Sequence, residues 1–253
     1  MTSTRLLGLL TGGALTLAGA TASAQGPAPF EFGYGHLNLG LQASPHDLNQ
    51  DTTPTIYQEP ARIQMSEEFG TGAMFDIGGG VRVWRRLYAG LSYSRLSNTK
   101  DATVNASIPH PQRFDEPRAV TTSAPGLKHT EDQVHLHAMW RMPITTKFDV
   151  AVGIGPTFYS VRQDLVQVTE ANISEIGNPT TGVTINSVNV VRSTDSTVGY
   201  NLTADGTYLL TRRFGVGGFL RFTGGSVDMT VDNNTVGLDV GGFQIGVGGR
   251  VRF

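Results

Sequence analysis

From about residue 30 onward, apolar and polar side chains alternate at period two, the signature of strands with two unlike faces. Phe75, Ile77, Val81 and Val83 stand against Asp76, Gly78, Gly80 and Arg82. Leu87, Ala89, Leu91 and Tyr93 oppose Tyr88, Gly90, Ser92 and Ser94. Val134, Leu136, Ala138, Trp140 and Met142 oppose Gln133, His135, His137, Met139 and Arg141. The alternation resumes over 149–158, 198–208, 214–222 and 243–253, and a first strand falls near 33–43. The pattern predicts about eight strands.

The connections fall into two kinds. "WRRL" (84–87), "MPITTKF" (142–148) and "LTRRF" (210–214) are tight turns, whereas 44–70, 98–130 and 165–195 read as long polar loops. Short and long links alternate, so an up-and-down meander gathers every short turn, and both termini, at one end. The segment 226–242 reads as a projecting hairpin turning at Asp232-Asn233-Asn234. Its apolar parity changes at Gly224-Gly225 and Gly241-Gly242, which predicts β-bulges there. Leu165, Val166 and Val168, with Val188, Val190 and Val191, extend strands five and six in the same way.

Alternation alone does not say which face meets water. A soluble barrel turns its apolar face inward and shows a charged exterior. Here the polar face is mostly Gly, Ser, Thr and Asn, and the chain carries lysine only at Lys100, Lys128 and Lys147. Such a set suits a crowded interior, because eight strands leave room for side chains and little else. Aromatics bracket the apolar face in pairs, Phe148 with Phe158, Tyr208 with Tyr200, Phe214 with Phe222, and Phe253 with Phe243. These spacings correspond to roughly 26–33 Å of strand, and tilting shortens them toward the ~25 Å apolar band of membrane barrels. The expected fold is therefore all-β, an eight-stranded antiparallel up-and-down transmembrane β-barrel.

Residues 1–24 carry one positive charge, Arg5, then an apolar run closing on Ala22-Ser23-Ala24, a secretory cleavage pattern. The expected domains are a signal peptide over 1–24 and one barrel over 25–253. With no cysteine the chain excludes disulfides and thiolate metal sites. Its net charge of -2 argues against a nucleic-acid partner.

With this signal peptide, strand repeat, turn asymmetry and terminal "GRVRF", residues 30–253 resemble the OmpA-type family of eight-stranded outer-membrane barrels. The resemblance implies a Gram-negative outer membrane, short turns in the periplasm and long loops outside the cell. It also implies contact with outer-membrane lipid and lipopolysaccharide, and makes Val251 and Phe253 the signal for the barrel-assembly machinery. The chain departs from full-length OmpA proteins in stopping at Phe253, without a peptidoglycan-binding domain.

The polar face places Asp76, Arg82, His135, His137, Arg141, Asp149, Asp205, Arg221, Arg250 and Arg252 in the interior. Such a set is either a selectivity network in a narrow pore or a plug of paired charges, since unpaired burial is costly. His135 and His137, with His129 nearby, have a spacing that could clamp a metal given a third ligand; hydrogen-bonding within the interior is the commoner use, and no metal or cofactor is expected. Some barrels of this kind are lipid A deacylases, palmitoyl transferases or omptin-like proteases. No His-x-Ser on the lipid-facing register and no Asp-x-His pair at a rim supports that chemistry here. The glycine cluster at 70–80 lacks a phosphate-loop lysine. The expected role is structural or recognition-related, through loops of a monomer whose ligand the sequence does not name. A narrow porin or a conduit for small apolar solutes is the alternative, and a lipid-modifying enzyme the third reading.

Overall fold

The computed structural model describes residues 32–177, 181–231 and 234–253. The expected signal peptide, and Asp232 and Asn233 of the expected turn, lie outside these residues. In chain order the strands are β1 (Gly33–Thr52), β2 (Thr55–Ile56), β3 (Glu59–Pro60), β4 (Arg62–Trp84), β5 (Leu87–His110) and β6 (Arg113–Pro143). They continue with β7 (Phe148–Gln167), β8 (Ile173–Ile176), β9 (Gly182–Ile185), β10 (Asn189–Leu209), β11 (Phe214–Val231) and β12 (Asn234–Arg252). The eight long strands close a barrel in the order β1-β12-β11-β10-β7-β6-β5-β4, while β2-β3 and β8-β9 are separate two-stranded ribbons. Neighbouring long strands are antiparallel, the meander the alternating links predict.

The C-terminus is the closing strand. β12 pairs with β1 from Tyr34↔Arg252 to Ala43↔Phe243. Gly33 N donates to Phe253 O at 2.8 Å, and Phe253 N donates back to Gly33 O at 3.1 Å. Closure satisfies the backbone groups that an open edge would leave bare in an apolar surrounding.

Outward-facing Leu39, Ile154, Leu202 and Val247 are all more than half exposed. They belong to an apolar belt around the barrel far larger than the patches that water-soluble monomers carry. The aromatics sit at matched levels, with Tyr208 opposite Phe148 at the short-turn end. Phe222 lies opposite Phe243 at the other.

Beyond the belt the structure corrects the expected long loops. Most of 44–70, 98–130 and 165–195 continues as strand, in β1, β4, β5, β6, β7 and β10. Apolar side chains there point inward, reversing the pattern of the belt. Ile63, Val104, Ile108, Leu127, Val161, Leu165, Val227 and Leu238 belong to one core cluster with exposures of 3% or less. Full burial of such a side chain stabilises by roughly 1.5–3 kcal/mol. Read at belt parity, these stretches look polar and irregular.

Part of the reversal is a slip of the strand. The β5–β6 register jumps between Lys100 and Ala102, where β6 accommodates one extra residue. Gly126 lies at that point with φ +72°, and its N–H donates to Asp101 at 2.9 Å. A second jump lies in β4, between Ser66 and Ala73. The bulges expected at Gly224-Gly225 and Gly241-Gly242 are not there: the β11–β12 register runs unbroken from Phe214↔Val251 to Val231↔Asn234. Arg221, Thr223, Val227 and Met229 all face inward. The face stays the same and its lining changes from polar to apolar.

The strands also part company above the belt. Pairing of β6 with β7 stops at His129↔Gln163. That of β10 with β11 stops at Tyr200↔Gly224, and that of β1 with β12 at Ala43↔Phe243. A four-stranded sheet (β1-β4-β5-β6), the β7-β10 pair and the β11-β12 hairpin continue separately around the apolar core.

Candidate functional site

The interior at belt level is a continuous polar assembly. Asp76 of β4 is its hub. It accepts from Asn38 Nδ2 at 2.7 Å, from Ser94 Oγ at 2.7 Å and from Arg221 Nη1 at 3.0 Å. Ser94 and Arg221 share Oδ2, while His36 Nε2 lies 3.0 Å from Oδ1, the oxygen that Asn38 also reaches. Arg221 also donates to Ser94 and to Gln244, at 2.9 and 3.2 Å. A guanidinium at 2% exposure is thus held by three strands at once. His135 meets Ser94 and Thr157, His137 meets Ser92, and the two rings stack at 5.8 Å. Their partners are hydroxyls, which makes these histidines members of the network. Among the described residues, no three His, Asp or Glu side chains are grouped as a metal would need.

Toward the short turns the charges form two further groups. Arg250 Nη2 donates to Asp205 at 2.7 Å and Nη1 donates to Asn38. Arg252 pairs with Asp149, which also lies 4.0 Å from Arg141. The Arg141 guanidinium is sandwiched between Tyr34 and Tyr88, 4.6 and 4.8 Å from their ring centres, a cation–π arrangement. Arg82 is half-buried on the same inward parity, opposite Tyr88.

All ten residues that the sequence places in the interior are therefore on the inner face. The structure brings Asp76, Arg221, His135 and His137 into one cluster, and the other charges into the groups toward the short turns. Uncharged amides were left out of the expected network, although the alternation puts Gln133 and Gln244 on the polar face: Asn38, Gln42, Gln133 and Gln244 are each 1% exposed or less. Their parity relative to His135 or Arg250 could have revealed them. Also missed were inward apolar side chains, Met74, Leu96 and Phe219, packed as a small cluster inside the barrel.

Little space is left. The cavity among Tyr34, Asp76, His137, Arg141, Asp205 and Arg221 holds about 20 Å³, about one water. Above it a second polar layer seals the barrel beneath the apolar core. His129 is 2.9 Å from Glu131 and 2.7 Å from Gln163 Oε1, and Gln163 Nε2 donates to Glu67 at 3.0 Å. Both ring nitrogens of His129 face acceptors, which favours the imidazolium. Burial pulls its pKa down, but the hydrogen bond and charge of Glu131 more than offset this and raise it. Burial pushes the Glu67 carboxyl up to about 7.

An apolar outer belt, a closed antiparallel ring and a polar filling define a bilayer-spanning β-barrel of the outer-membrane type. Solved structures of similar outline include Neisserial surface protein A, with 12% identity over 88% of this chain and 97% of that one, TM-score 0.46. The outer membrane protein OprG of Pseudomonas aeruginosa shares 9% identity over 88% and 96%, TM-score 0.49. The outer membrane protease OmpT of Escherichia coli shares 9% over 88% and 97%, TM-score 0.41. At these values the class rests on the chain's own geometry. The sequence matches no protein-family model and no curated relative.

Proposed function

We propose that this chain is a closed-lumen barrel of a Gram-negative outer membrane, exported by its N-terminal signal peptide. Its role is non-catalytic: it carries a rigid β-extension outside the cell for structural or recognition contacts. The OmpA-type resemblance, the monomeric state and insertion through Val251 and Phe253 belong to the same reading. The observation that carries it is the double closure of the lumen. The cavity within the cross-braced polar layer holds about 20 Å³, and above it lie the second polar layer and then the apolar core. Exposed segments on a rigid scaffold are where contacts are encoded. Planar-bilayer recording of refolded protein tests this: no stable single-channel steps are expected, and reproducible steps would sink it.

A second reading, a conduit for small apolar solutes, has one observation in its favour. Where β10 and β11 part, a cleft of about 620 Å³ lies among Val198, Tyr200, Phe222, Val240 and Phe243. Its inner end meets the packed core, so passage requires that core to open. Uptake of an apolar dye into proteoliposomes, compared with empty vesicles, separates the two readings.

A further inference from the structure

Three gaps open between strands above the belt, and two of them are blunted. At the β6–β7 gap, β6 carries Pro117 and Pro125, and Arg118 Nη1 donates to Gly182 O of β9 at 3.1 Å. At the β12–β1 gap, Pro45 lies two positions past Ala43, the last residue of β1 paired with β12. Prolines at an edge withhold N–H groups that another strand could use. The β10–β11 gap lacks this protection: neither 189–199 nor 224–231 contains a proline or a lysine.

Hydrogen-bond parity fixes what this gap presents. Antiparallel strands bond through alternate residues to either side. Leu209 N donates to Lys147 O and Leu210 N donates to Phe214 O, and the β7–β10 register is unbroken from Asn189 to Tyr208. Odd-numbered residues of β10 therefore bond β7, while Val190, Arg192, Thr194, Ser196 and Val198 turn their backbone groups toward the gap. The bond from Arg252 N to Arg213 O sets β11 in the same way, so Ser226, Asp228 and Thr230 turn theirs toward β10. Among the described residues no backbone bond joins these two sets. The Ser196 N–H is held by the neighbouring Asp195 carboxylate at 2.7 Å. Two strand edges thus stand open above the cleft at the parting of β10 and β11.

The side chains indicate what would fit. Val191 has the inward parity that is buried in Val161 and Val227, yet it is 39% exposed, so the wall of the apolar core is incomplete here. Asp195, Asp228 and Asp239 are exposed around the gap, while Arg192 is already paired with Asp164.

We propose that the β10–β11 gap is a docking site for an extended, cationic segment of another protein, added as a strand between the two edges. The inference deepens the recognition role proposed above and rests on it. The β11–β12 hairpin is two-stranded at this level, and isolated two-stranded ribbons are marginal in water. An inserted strand would join it to β7 and β10 as one sheet. Backbone bonds to both edges would give affinity. Alternation would give selectivity, with small apolar side chains toward Val191 and Val227 and basic ones toward Asp228 and Asp239.

The test uses the full chain refolded in zwitterionic detergent and a nine-residue synthetic peptide alternating valine and lysine. Fluorescence anisotropy, compared with protein-free micelles, is expected to show saturable binding. N-methylation of the peptide at alternate residues keeps its charge and apolar pattern but removes the N–H groups of one edge. That form is expected to bind about tenfold more weakly, the scale of one or two net hydrogen bonds. Thr194→Pro removes an N–H from the open edge without touching the β7 ladder, and should weaken binding to a similar degree. Asp228→Asn/Asp239→Asn should weaken it about twofold to fivefold at low salt, the scale of exposed ion pairs. Isotope-labelled peptide carbonyls should shift to the β-sheet region of the infrared spectrum on binding. Heat-modifiable migration shows whether each variant is folded. Equal binding of the N-methylated peptide, absence of the infrared shift, or undiminished binding by folded Thr194→Pro each overturns the site. Dimers of the chain that dissociate on Thr194→Pro would make a second copy the occupant and overturn it too. Stable channel steps overturn the closed-lumen reading, whereas a folded, non-conducting barrel that ignores the peptide overturns this inference alone.

Discussion

Arg221 of β11 reaches across the lumen to Asp76 of β4, Nη1 to Oδ2 at 3.0 Å, with both side chains at 2% exposure or less. The barrel order separates these strands by two others on one side, β12 and β1. The ion pair therefore braces opposite walls. Breaking a buried pair by removing one partner typically costs about 3–5 kcal/mol, because the other charge is left unpaired. Asp76→Ala is expected to lose about that much in urea unfolding of the refolded barrel. The double variant Asp76→Ala/Arg221→Met should recover a large part of it. A double variant no more stable than the single would show that Arg221 is not the partner that matters.

The apolar extension is expected to open independently of the belt. Leu165 is fully buried in it, and Leu→Ala at such a site costs about 2–5 kcal/mol. Because β6–β7 and β10–β11 pairing stops below it, Leu165→Ala should loosen the extension and leave the belt intact. The expected outcome is faster proteolysis within 98–130 and 165–195 with unchanged heat-modifiability. Loss of the heat-shifted band would show instead that barrel and extension fold as one unit.

The Glu67–Gln163–His129 layer is expected to make that junction pH-dependent. The carboxyl of Glu67 titrates near 7 when folded, against an ordinary value of 4.5. Between those values the folded protein holds a proton that the unfolded chain has released, so stability falls as pH rises through the window. The raised pKa of His129 acts in the same direction, its contribution being lost as pH rises through the folded value. Amide protection factors in the extension, taken relative to the base-catalysed intrinsic rate, should therefore be higher at pH 5.5 than at pH 8, and Glu67→Gln should flatten part of that slope. An unchanged slope would remove Glu67 from the account.

At Gly241 the backbone has φ +92°, and an added Cβ would stand 2.7 Å from Thr223 O and 2.8 Å from Tyr159 Oη. Strain of this kind costs on the order of 1–3 kcal/mol. Gly241→Ala is expected to lower the urea midpoint, whereas Gly237→Ala, near only the Asp228 carboxylate, should change it little.

Phe253 closes the sheet through its two backbone bonds to Gly33 and exposes its ring on the belt. Deleting it should reduce the membrane-inserted yield more than deleting Gln112 at the β5–β6 tip. Equal yields would count against an assembly role.

What the sequence by itself determined is the belt. Period-two alternation is local, so it names the inward Asp76, His135, Arg221 and Arg250 and the outward Leu39, Phe158 and Phe253 without knowledge of any partner. Link lengths then set the meander. Only the tertiary structure decided the rest. Whether Asp76 is paired depends on Arg221, distant in the chain, and closure of the lumen depends on how side chains from opposite walls meet. The extension escaped the sequence reading for a related reason. Above the belt water replaces the apolar surroundings, so the same inner face of β11 that carries Arg221 must carry Val227 and Met229. A parity rule tuned to one solvent misreads the other.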